Sequence, residues 1–153
     1  MNINMINKDY KIILKYCLVI TWMIVIFCFS KDPATVSNEK SDFVIESLTS
    51  LGIDIGGIFG KMSTFIVRKM GHFTEYFVLC ILLIFALACK FKVKKTYIAA
   101  ISITFLYACS DEFHQLFVPG RSGKIMDVLI DTIGGLVAII IYKIVLSIRN
   151  KNK

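Results

Sequence analysis

Residues 110–135 read SDEFHQLFVPGRSGKIMDVLIDTIGG, and they gather Asp111, Glu112, His114, Gln115, Arg121, Asp127 and Asp131 in an otherwise mostly apolar chain. Pro119-Gly120 sits at the centre. Proline suits the second position of a type II turn and glycine the third, so residues 118–121 read as a tight reversal. Apolar runs flank it on both sides. The stretch is therefore expected to be the charged tip of a helical hairpin.

Working outward, the whole chain supports a membrane reading. Apolar residues make up 56% of its 153 positions, and the mean hydropathy is +0.70, high for a soluble domain. Charges collect between the apolar runs instead of recurring every turn, which disfavours a soluble bundle. Several runs approach the ~20 residues that cross a bilayer. The five cysteines fall in or beside these runs without a CxxC spacing, so they read as small buried hydrophobes and imply no disulfide or zinc framework. The net charge of +7 does not point to nucleic acid. The basic residues sit at the ends of hydrophobic runs, and no basic groove with interleaved aromatics is visible.

The expected fold is all-α: a single domain over residues 1–153, an integral bundle of four transmembrane helices. These fall at about 12–29, 72–89, 97–115 and 125–148. A basic start before the first run also resembles a secretory signal peptide, but the run is long and no small-x-small site follows Phe29, so an uncleaved helix is expected. Residues 30–40 are polar and read as a loop. Residues 42–69 carry apolar residues at helical spacing, broken by charges and by Gly52, Gly56, Gly57 and Gly60. They read as short amphipathic pieces lying on the outer membrane surface, with packing under the charged tip as the alternative.

Orientation follows from counting bases. With the N-terminus inside and four crossings, the inner segments hold eleven Lys or Arg and one acid, Asp9, and the outer side holds seven bases and ten acids. The positive-inside rule selects this arrangement, with both termini cytoplasmic.

It also brings three polar helix ends to the outer face. Lys69, His72, Glu75 and Tyr76 share a stripe on the second helix. Asp111 and Gln115 are i,i+4 neighbours at the end of the third, beside Glu112. Asp127 and Asp131 open the fourth, and Gly134 and Ala138 continue their stripe, so that face is expected to point into the bundle. Ionisable groups at membrane depth are costly unless paired, and so mark a site. Arg121 is the expected bidentate partner of a carboxylate. Three readings fit these residues. One is a structural ion-pair network. Another is an outward-facing binding or catalytic pocket, with Glu75 or Asp111 as general base, His72 as its partner and Arg121 as anion clamp. The third is a metal site, for which ligand types are present but no HExxH-like signature. No metal and no cofactor is assigned.

Two motifs carry a family resemblance. KMGHFTEYFVL supplies Lys69, His72, Phe73, Glu75 and Tyr76. DEFHQLFVPGRSGKIMDVLIDTIGG supplies Asp111, Glu112, Gln115, Pro119, Gly120, Arg121, Asp127, Val128, Asp131 and Gly134. Together they resemble the VanZ-like family of bacterial membrane proteins. One position departs, since members often carry Asn where this chain has Asp131. The family takes its name from an accessory protein that lowers susceptibility to teicoplanin. The resemblance implies a multi-pass protein of the bacterial cell membrane acting at the envelope. Its implied partners are membrane lipid and an outer-leaflet or wall-linked ligand, such as a lipid-linked wall precursor or a lipid-tailed glycopeptide. The resemblance supplies no reaction.

Overall fold

The computed structural model describes residues 3–152, with side chains from residue 9. The side chains of Lys8 and Lys153, counted above among the inward bases, lie outside the described residues. The elements are α1 (Ile3–Ser30), α2 (Ala34–Ser50), α3 (Ile55–Phe59), a 3-10 turn (Gly60–Met62), α4 (Ser63–Leu87), α5 (Val93–Gln115) and α6 (Ile125–Lys151). Among the described residues there is no strand, as the 3.6-residue apolar spacing requires.

Helix α4 is the axis of the molecule and packs against α1, α2, α5 and α6, while α5 and α6 also pack on each other. Its inner face, Tyr76, Leu79, Cys80, Leu83, Ile84 and Leu87, is buried. Helix α5 presents Thr96, Ala100, Thr104 and Ala108 inward, a line of small residues at every fourth position that lets helices approach closely. Two side-chain donors fasten α1 to this group. Trp22 Nε1 donates to the Glu75 carbonyl at 2.9 Å, and Tyr107 donates to the Met23 carbonyl at 2.6 Å. Outward-facing residues such as Ile13, Leu18, Ile24, Ile133 and Ile140 are apolar and exposed.

Several boundaries differ from the sequence reading. The second long helix starts at Ser63, not His72. Arg68 and Lys69, read both as the end of the surface segment and as the polar opening of the second helix, lie within that helix, where α2 packs on α4 and Lys69 is paired with Asp127. The polar stretch after α1 is a loop only as far as Pro33, and Ala34 already begins α2. Residues 42–69 are thus not one surface segment. Helix α2 packs on α4, and the Ala34 amide donates to the Pro119 carbonyl at 3.2 Å, which is the capping alternative. The cysteines are all unpaired, but only Cys80 is buried; Cys17, Cys28 and Cys89 are exposed. Cys89 accepts from Lys15 Nζ at 3.3 Å, and a thiol is apolar enough to stand at an exposed position of an apolar helix. Three segments are long and apolar enough to cross a membrane: Asp9–Ser30, Ile55–Leu87 and Ile125–Lys151. Helix α5 is not among them, because Thr96, Ser102, Thr104 and Ser110 dilute its apolar run before Asp111 and Glu112 end it.

The hairpin tip forms as read. Gly120 has φ +73°, and the Arg121 amide donates to the Val118 carbonyl at 3.1 Å, the geometry of a type II turn. The inward face of α6 is also as read: Asp127, Asp131, Gly134 and Ala138 are buried. At Gly134 the backbones of α4 and α6 nearly touch, since a Cβ there would lie 2.5 Å from the Phe73 carbonyl oxygen. Backbone cannot swing aside as a side chain can. Gly134→Leu should therefore force α4 and α6 apart and cost at least the ~1–3 kcal/mol typical of overpacking. Thermal unfolding in detergent should show a lowered Tm, with Gly71→Ala, where a Cβ meets nothing within 4 Å, as the control.

Candidate functional site

The site lies at the end of the bundle where α4 begins, α5 ends and α6 begins. Helices α4 and α6 run side by side in the same direction, so their residues pair in order. Lys69 meets Asp127, with Nζ 2.5 Å from Oδ1 and both side chains largely buried. One turn further, His72 Nδ1 is 3.8 Å from Asp131 Oδ1, too far for a hydrogen bond. Beyond that lies the Gly134 contact.

Helix α5 adds the third wall. Glu112 Oε2 accepts the Lys124 backbone amide at 2.8 Å, which ties the helix to the returning loop. Gly123 allows this approach, since a Cβ there would sit 2.3 Å from the Glu112 carbonyl oxygen. Asp111 Oδ2 accepts from Gln115 Nε2 at 3.2 Å, and Gln115 Oε1 accepts from Arg121 Nη1 at 3.4 Å. Asp111 and Arg121 are thus joined through an amide rather than directly.

That arrangement corrects one expectation. Among the described residues Arg121 forms no ion pair. Its Nε donates to the Asp32 carbonyl at 3.0 Å and its Nη2 to the Phe29 carbonyl at 3.4 Å. These carbonyls lie at the end of α1, where helical C=O groups lack internal partners and attract cations. A short-range sequence reading had no means of bringing the end of α1 to Arg121.

Two cavities open here. One, of about 190 Å³, is lined by Asp32, Lys40, Arg68, His72, Glu75 and Arg121 among others. The other, of about 130 Å³, is lined by Arg68, Lys69, His72, Gln115, Arg121, Lys124 and Asp127, with few others. Arg68, His72 and Arg121 line both. Desolvation, and then the charge of Arg68, pull the Arg121 pKa below its ordinary value, while Asp111, Asp32 and Glu112 oppose the shift. A guanidinium keeps its proton nonetheless, so the mutual repulsion of the two arginines favours an anion between them.

The residues read from the sequence therefore converge, in two groups. Glu75, His72 and Arg121 share the larger cavity. Lys69, Gln115, Asp127, His72 and Arg121 share the smaller one, and Glu112 and Asp131 lie behind it against His72. His114 stands apart, its ring 4.8 Å from that of Phe27. Arg68 was missing from the site residues read from sequence. It has the signal, since residues 68, 72 and 75 share one helical face, but its only side-chain partner here is Asn38, at 3.0 Å.

The apolar helices and the buried charged cluster define a helical membrane protein with a polar site at one end of its bundle. The chain belongs to the VanZ/LLP1 family, whose model matches residues 15–146. Neither the curated proteins nor the solved structures compared with it gave a match.

Part of the cluster serves the fold. Removing one partner of a buried ion pair typically costs about 3–5 kcal/mol, so Asp127→Asn and Lys69→Met should each reduce Tm and membrane abundance. The double variant Lys69→Met/Asp127→Leu strands no charge and should recover much of the loss in a double-mutant cycle.

Proposed function

We propose that this is a four-span protein of the bacterial cell membrane, with both termini cytoplasmic, that binds an anionic ligand at the outer leaflet between Arg68 and Arg121. The single observation that carries this reading is the pair of arginines lining both cavities. Neither has a carboxylate partner within ion-pair distance among the described residues. A phosphate or carboxylate at the head of a lipid-tailed molecule matches them, because the larger cavity opens beside apolar side chains such as Phe29, Val44 and Val67. Candidate ligands are a membrane phospholipid, a lipid-linked wall precursor and a lipid-tailed glycopeptide such as teicoplanin, in keeping with the family's name. Glu75 on the cavity wall leaves room for general-base chemistry on the bound ligand.

The fourth span is α5. Its 23 residues, at 1.5 Å each, reach about 34 Å, enough for a ~30 Å hydrocarbon core. Its polar inner face is covered by α4 and α6. The count of basic residues supports the orientation. In a chain whose native cysteines are changed to Ser, Ser37→Cys and Ser122→Cys should react with a membrane-impermeant maleimide in intact cells, and Lys92→Cys should not. Reaction of Lys92→Cys alone would invert the topology.

The scaffold reading keeps its claim on Lys69 and Asp127, whose ion pair needs no ligand. Arg68 separates the two readings. Arg121 also holds two backbone carbonyls of the α1 end, whereas the one side-chain hydrogen bond of Arg68 among the described residues is to exposed Asn38. Arg68→Gln should leave the unfolding free energy in neutral detergent within about 0.5 kcal/mol of the parent. Addition of phosphatidylglycerol should raise the parent Tm, phosphatidylcholine should not, and Arg68→Gln should lose most of the rise. Teicoplanin tolerance conferred in cells should fall with it at unchanged membrane abundance. An equal rise in parent and variant would remove the arginine pair from ligand binding.

A further inference from the structure

Behind the two cavities, three side chains from three different helices turn potential ligand atoms toward one another. His72 of α4, Glu112 of α5 and Asp131 of α6 each offer one such atom, all within 4.8 Å of each other, and all three residues are buried. They are 9%, 4% and 0% exposed. What sets this group apart is its unmet demand. His72 Nδ1, Glu112 Oε1 and both oxygens of Asp131 are buried and have no hydrogen-bond partner. A buried polar atom without a partner costs about 1–3 kcal/mol, and more when charged, so four in one place call for an explanation.

The surroundings do not supply one. Lys69, the nearest cation on α4, is engaged by Asp127. Glu112 Oε2 is occupied by the Lys124 amide, which fixes the carboxylate and leaves Oε1 free. Arg121 is spent on Gln115 and the α1 carbonyls. These four atoms are all acceptors when the imidazole is neutral with its proton on Nε2 and Asp131 is ionised. The Tyr76 hydroxyl on α4 is also buried without a partner, but one hydroxyl can serve only one of them, and a set of unmet acceptors is what a cation requires.

We infer that His72, Glu112 and Asp131 form a binding site for one divalent first-row transition ion, with Zn²⁺ or Mn²⁺ as the best fit. Charge supports the class: two carboxylates and a neutral imidazole balance a 2+ ion, so the filled site carries no net charge inside the bundle. Donor chemistry supports it too. One imidazole nitrogen with carboxylate oxygens suits these ions, while Mg²⁺ and Ca²⁺ prefer oxygen alone. The His72–Asp131 separation of 3.8 Å lies within the ~4 Å spanned by two ligands each ~2.0–2.1 Å from a single ion. The Lys124 amide on Glu112 supplies the outer support that orients a metal ligand. Three protein ligands leave a coordination position open, and His72 lines both cavities. The cation site does not depend on the anion reading, because its ligands are complete without Arg68 or Arg121.

Cobalt tests it without any lipid or glycopeptide. The full chain is purified in detergent without a histidine tag, stripped with EDTA and titrated with CoCl₂. One equivalent should bind with visible d–d absorption and no thiolate-to-cobalt charge transfer, and ZnCl₂ should displace it. Loss of a group that hydrogen-bonds a metal ligand costs the site about 10–100-fold, so loss of a ligand should cost more than about 100-fold. His72→Gln, Glu112→Gln and Asp131→Asn should each weaken binding by that much, while His114→Gln, which changes the only other histidine, should not. Absence of a saturable d–d band in the parent chain, a thiolate band marking the cysteines, or unchanged binding in folded Asp131→Asn or His72→Gln would each overturn the assignment. If the variants fail to fold, the parent chain decides: electron spin-echo modulation from a directly bound imidazole nitrogen in the Mn²⁺-loaded protein supports the site, and its absence rejects it.

Discussion

The contact between Gly134 and the Phe73 carbonyl sets the rest of the structure. It holds α4 and α6 at backbone distance, and two parallel helices that close have little freedom to slide. Their register then places Asp127 against Lys69 and Asp131 against His72. With any larger side chain at 134 the helices would separate, and the charges one and two turns away would lose their partners. A glycine chosen for space thus determines which ionisable groups meet.

The charges that meet are unequal in kind. Lys69 and Asp127 satisfy each other and lock the helix ends. Asp111, Gln115 and Arg121 form a neutral-linked chain that carries the hairpin tip onto the end of α1. Against this satisfied background, two departures from local balance stand out. Arg68 and Arg121 line both cavities with no carboxylate in ion-pair contact among the described residues, and the space behind them holds four unpartnered acceptor atoms. The first favours an anion and the second a cation, with His72 between them. Buried charge is expensive in a membrane bundle, so these unmet groups mark where the proposed ligands would bind.

The cover over this site comes from an unexpected part of the chain. Helix α2 is polar over most of its length, with Ser41 as its only buried residue, and its apolar spacing from residue 42 onward suits a membrane surface as well as a packing face. It is held by small local ties: Ala34 to Pro119, Asn38 to Arg68, and Asp42 to Thr64. Such contacts are polar and weak one by one. They follow from where α1 and α4 deliver the two ends of the segment.

The sequence by itself determined the features that depend on neighbours in the chain. These are the three strongly apolar helices, the turn at Pro119-Gly120, and the inward face of α6 marked by Asp127, Asp131, Gly134 and Ala138. Each is a matter of spacing along one helix or of the backbone preference of one residue. Tertiary structure decided what depends on distant partners. It carried α4 back to Ser63 by covering Arg68 and neutralising Lys69, converted half of a surface segment into a cap, and gave Arg121 to the carbonyls of α1 instead of to a carboxylate. It also selected His72, Glu112 and Asp131 from a longer roster of ionisable residues and faced them together. The physical reason is common to all of these: a charged group shows in the sequence that it needs a partner, but helix packing alone decides which partner comes within reach.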